Sequence, residues 1–223
     1  MSRLDDAIEN LYTSFANIPH PQSIEECHVC SMCYVDTKTL LKVKVREAPL
    51  KELGSYGRYA MSTMGSKDDY LYFLPRILHL IATDDWDYGP DVLTIARSIH
   101  ATEPHTWTAN HRRALEVYFS AVVLTLLAPD RHSEISEWLN AIARTGLDAR
   151  PYLHAIEQST DAVLDYFTAN AGDLPHRRLT TSPWANSGDL PKAGHESIVA
   201  WFYSPRIRKI VFDAYGCVLP ANE

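Results

Sequence analysis

The stretch TANHRRALEVYFSAVVLTLLA, residues 108–128, decides the fold. Ala114, Leu115, Tyr118, Ala121, Val122, Thr125 and Leu126 recur at steps of three and four, and Val117, Phe119, Val123 and Leu124 make the opposite side apolar too. A helix apolar nearly all round is a central, buried one. Pro129 ends it.

Helical spacing continues on both sides of this segment. Toward the N-terminus, Leu4, Ala7, Ile8, Leu11, Tyr12, Phe15 and Ile18 share one face over 3–18, with Ser2 as cap and Pro19 and Pro21 as stops. Asp36 or Thr37 caps a short helix through Leu41, and Lys42 to Arg46 reads as helix end or loop. A helix is predicted over Ser55–Met64, closed by Gly65, and another from Asp68 with Leu71, Leu74, Leu78 and Ile81 inward. Pro75 either kinks that helix or opens a second one. Thr83 to Pro90 reads as a loop, followed by a helix over 91–101.

C-terminal to the central segment, helices are predicted over 133–144 with Ser133 as cap, 151–158, 160–171, 195–203 and 205–215. The last carries Ile207, Ile210, Val211 and Ala214 inward and stops at Gly216. Residues 173–192 form a long loop or irregular cover. No alternating Val/Ile/Thr-rich set of strands appears, so the expectation is an all-α protein: one helical domain over 1–223, an antiparallel array of about ten short helices in a bundle or curved α-α stack, without extended sheet.

Composition bounds the function. The chain has 223 residues, 46% hydrophobic and 22% charged, with 28 acidic against 21 basic side chains and a net charge of -7. Phosphate neutralisation needs a basic excess, so nucleic acid is not the expected partner; a protein partner, basic by complementarity, fits the sign. The longest apolar run, residues 121–128, is too short to span a bilayer, and the start Met-Ser-Arg-Leu-Asp-Asp lacks the basic end and apolar core of a secretory signal. A cytoplasmic protein without a membrane span is expected.

Three groups of side chains could carry chemistry. Cys27, His28, Cys30 and Cys33 have the spacing of half a zinc site or a thiol pair, and become small apolar core residues if the stretch is helical. Asp84, Asp85 and Asp87 make an acidic turn without the glycine and distal glutamate of a calcium loop. Trp86, Trp107 and Trp184 fall in segments read as loops, where aromatics anchor partners or plug gaps between helix ends. The three tryptophans and three aspartates are the candidate partner-binding residues. The ten histidines show no metalloenzyme spacing, and phosphate-loop, nucleotide-fingerprint and nucleophile-elbow motifs are absent.

Ile24-Glu25-Glu26-Cys27-His28-Val29-Cys30, with Pro49-Leu50-Lys51-Glu52-Leu53, Arg58-Tyr59-Ala60 and the run Phe73-Leu74-Pro75-Arg76-Ile77-Leu78, resembles an uncharacterised bacterial family defined by an Ile-Glu-x-Cys-x-x-Cys start and a Phe-Leu-Pro-Arg-x-Leu helix. The resemblance covers roughly the first 80 residues and implies that Cys27 and Cys30 act together; Cys33 is an addition to the pattern. The leading expectation is a non-enzymatic acidic helical protein-binding module of the immunity or antitoxin kind. Alternatives are a zinc- or thiol-dependent protein using Cys27, Cys30 and Cys33, and a helical hydrolase with dispersed His and Asp ligands.

Overall fold

The computed structural model describes residues 2–25, 35–83, 86, 89–172, 174 and 191–216. Among them the chain is all-α: eleven α-helices joined by short turns and three 3-10 segments, with no strand and one isolated bridge between Ala60 and Met64. No helix among these residues is long and apolar enough to cross a membrane. Contacts cluster into two compact units, residues 1–118 and 119–223.

In the first unit, α1 (Arg3–Ser14) opens on a capping box: Ser2 Oγ accepts from the Asp5 amide, and the Asp5 carboxylate accepts from the Ser2 amide at 2.7 Å. Ala7, Ile8, Leu11 and Tyr12 are buried as their spacing predicts, while the helix ends at Ser14, short of Ile18. Asp36 caps α2 (Thr37–Leu40), and Val45–Glu47 is a 3-10 turn. α3 runs Leu50–Tyr59 rather than 55–64. It opens directly after Pro49, where a missing amide hydrogen costs nothing. It closes at Tyr59 because the chain turns back on itself, Met61 taking φ 61° and its amide donating to the Met64 carbonyl.

α4 (Lys67–Ala82) opens on a second capping box, Ser66 with Asp69, and passes through Pro75 as one helix. Leu71, Leu74, Ile77 and Leu78 are all buried around that proline. Burial of four such side chains, at roughly 1.5–3 kcal/mol each, outweighs the ~3 kcal/mol of a mid-helix proline. α5 (Val92–Ala101) is capped by Asp91, and the Tyr70 hydroxyl of α4 donates to its Ile95 carbonyl.

α6 (Ala109–Thr125) is the central segment, and its Leu115, Tyr118, Phe119 and Val123 are buried. Near its start, His111 is 5% exposed, stacks on Phe15 with ring centroids 4.4 Å apart and shares a hydrogen bond with Asn17 Oδ1. Burial holds its pKa below the ordinary histidine value, only partly opposed by the Ser14 carbonyl. The unfolded chain therefore takes up this proton more readily than the folded one. Stability from His111 is complete above about pH 6.5 and declines as the pH falls below it. The melting temperature of wild type should fall between pH 7 and 5, and His111→Phe, which retains the stack on Phe15, should flatten that decline.

In the second unit the predicted cap Ser133 lies inside a 3-10 segment, Pro129–Glu134, and α7 (Ile135–Arg144) starts without a side-chain cap. The extra turn is held by Arg131, whose guanidinium forks onto both Glu134 oxygens at 2.8 and 2.7 Å. α8 (Arg150–Ile156), α9 (Thr160–Asn170), α10 (Lys192–Phe202) and α11 (Pro205–Tyr215) follow. α10 begins three residues before the predicted His195. On α11, Ile207 and Val211 face the core, Ile210 is half-buried and Ala214 is exposed, so the buried stripe is narrower than the sequence suggests.

Candidate functional site

Of the candidate residues, Cys27, His28, Cys30, Cys33, Asp84, Asp85, Asp87 and Trp184 lie outside the described residues. Among the described ones, no group of three or more His, Cys, Asp or Glu side chains could hold a metal ion.

Trp86 and Trp107 are described, and both are interior, 7% and 6% exposed. The Trp86 indole donates to the Leu50 carbonyl at 3.1 Å, and its ring fills the space beside Gly89. Trp107 donates to the Thr102 carbonyl at 3.2 Å and meets Phe15 edge to face. Anchoring a partner needs exposed rings. These two close gaps between helix ends, because each indole has an internal carbonyl within reach.

Exposed aromatic surface lies elsewhere, on α11. Phe212 and Tyr215 are 51% and 52% exposed and, with Leu50, are the large hydrophobics left open among the described residues. At about 100° per residue, Arg208, Phe212 and Tyr215 fall on one flank of the helix, off the Ile207/Val211 stripe. Tyr215 is held in place: its ring stacks on Phe167 at 6.0 Å and its hydroxyl shares a hydrogen bond with Thr168 Oγ1. The helix carries Arg206, Arg208 and Lys209; Arg206 pairs with Glu157 at 2.9 Å and Lys209 with Asp213 at 2.7 Å, and Arg208 is the cation on the flank of the two rings. This aromatic and basic flank was legible in the i, i+4, i+7 spacing of residues 208, 212 and 215.

Alongside α11, α8 and α10 border a groove of about 750 Å³, mostly apolar in lining, with Leu153, His154, Glu157, Ala200, Trp201 and Arg206 among its walls. Glu157, just past the end of α8, has a side chain only 9% exposed and is bound from three directions. The Trp201 indole donates to Oε1 at 2.8 Å, His154 Nδ1 lies 3.0 Å from the same oxygen, and Arg206 Nη1 is 2.9 Å from Oε2. A carboxylate only accepts, so His154 donates from Nδ1 and the neutral ring carries its lone pair on Nε2. His154 itself is 71% exposed.

Comparison with known proteins adds no relative from which a role could be carried over: no family model, curated protein or solved structure matches the chain.

Proposed function

We propose that the chain is a helical protein-binding module, of the kind that covers a partner's surface as immunity proteins and antitoxins do, and that it docks through the Arg208, Phe212 and Tyr215 flank of α11. The observation carrying this reading is the pair of half-exposed aromatic rings with Arg208 on the same flank, the residue types from which interface hot spots are built. Salt screens charges beyond about 8–10 Å, so the local sign at the interface matters more than the net charge of the chain. The complementary partner surface is apolar at its centre, to receive the Phe212 and Tyr215 rings.

The test is affinity capture from the native host by wild type and by Phe212→Ser/Tyr215→Ser, with folding checked by circular dichroism. A protein held by wild type should bind the double variant about 30-fold or more weakly, the effect of losing roughly 2 kcal/mol at a hot spot. It should also elute as salt is raised. Equal recovery by both forms defeats the reading.

A further inference from the structure

We propose that the α8–α10 groove hydrolyses neutral carboxylic esters with an apolar acyl chain, His154 acting as general base and Glu157 as its positioning residue. This inference stands apart from the α11 flank and survives or fails without it.

The arrangement is that of an oriented base. Glu157 is fixed by donors from Trp201 and Arg206, 44 and 49 residues away in sequence, and so holds the His154 ring in one tautomer. His154 Nε2 has no protein partner among the described residues, and the side chain lines the groove. The class of substrate follows from charge. Arg206 is matched by Glu157 and Arg150 by Asp148. Lys192 lies 3.8 Å from Glu196. With its charges balanced and its walls mostly apolar, the groove suits an uncharged, partly apolar ligand, and about 750 Å³ is ample for a short acyl ester.

Arg150 stands one helical turn before His154 on the same face of α8. Asp148 engages its Nε and Nη2, which leaves Nη1 hydrogens to meet a developing oxyanion. In the step, Nε2 takes a proton from water as the water oxygen adds to the ester carbonyl carbon. The carbon–oxygen bond to the alcohol then breaks, and Nε2 returns the proton to the departing oxygen. Acid and alcohol leave, and His154 is neutral again.

The experiment follows release of p-nitrophenol from p-nitrophenyl acetate, butyrate and hexanoate by the full chain. Wild type should exceed an equal concentration of free imidazole by about 100-fold or more, the lower range for a positioned base. KM should fall as the acyl chain lengthens. His154→Ala should return the rate to background, whereas His100→Ala, an exposed histidine on α5, should leave it unchanged. Glu157→Gln should lower kcat with little change in KM and alter the pH profile. Should that variant fail to fold, His154→Ala, on a side chain 71% exposed, decides the matter. A wild-type rate no better than imidazole, or a His154→Ala variant that keeps its rate, overturns the proposal.

Discussion

Tyr166→Ala should lower the unfolding free energy by about 4 kcal/mol, within the range for emptying a large aromatic site in a core. Tyr166 is fully buried on α9, with its ring 4.8 Å from that of Phe202 and 5.8 Å from that of Trp201. Its hydroxyl donates to Asn140 Oδ1 at 3.0 Å, and Asn140 is itself only 1% exposed. Truncation leaves a cavity under three aromatic or amide groups that α7, α9 and α10 hold apart. It also removes a donor from a buried oxygen. Tyr166→Phe separates the two effects: the ring remains, the hydrogen bond is lost, and the cost should be about 1–2 kcal/mol. Urea titration followed by circular dichroism reads both as midpoint shifts at constant slope. An alanine variant no weaker than the phenylalanine one would mean that the ring is not packed as described.

What could be read from the sequence depended on how far apart the deciding residues lie. Ser2 with Asp5 and Ser66 with Asp69 are three residues apart, and both helix starts are legible because each box is complete within one turn. The apolar faces of α1, α4 and α6 are equally local, since a periodic stripe needs no knowledge of its neighbour. Errors arose where a local signal competed with a distant one. The Ser55–Met64 expectation misses Pro49 as the start and the Met61 turn as the end. Ser133 has the chemistry of a cap, yet the Arg131–Glu134 fork extends the preceding turn past it.

The groove was illegible for the same reason. In the sequence His154 and Glu157 are only two polar residues three apart within the 151–158 helix. What makes them a site is the burial of Glu157 under Trp201 and Arg206, and neither residue carries a mark that links it to α8. Trp86 and Trp107 show the converse: loop position leaves open whether they anchor a partner or plug gaps between helix ends, and the second holds, since their indole hydrogens find the Leu50 and Thr102 carbonyls inside the first unit.

Gly194→Leu should cost about 3 kcal/mol or more, because the side chain would enter space already held by the backbone of α7. A Cβ at Gly194 would lie 2.5 Å from the Ala143 carbonyl oxygen and 3.1 Å from the Ala143 Cβ. Neither can swing aside: Trp138, Leu139, Ile142 and Ala143 are all buried along α7. α10 would have to move instead, carrying Trp201 away from Glu157. Gly194→Ala should cost less than leucine, since only the Cβ must then be accommodated, and about 1 kcal/mol of regained helix propensity offsets part of that clash. Gly172→Ala provides the contrast, as no described residue lies within 4 Å of its Cβ and a neutral or slightly stabilising result is expected. Thermal melts of the three variants order these effects. A Gly194→Leu protein that melts with wild type would remove the close approach of α7 and α10. A destabilised but folded one that also loses esterase activity would show that the same approach positions Trp201, and through it Glu157 and His154.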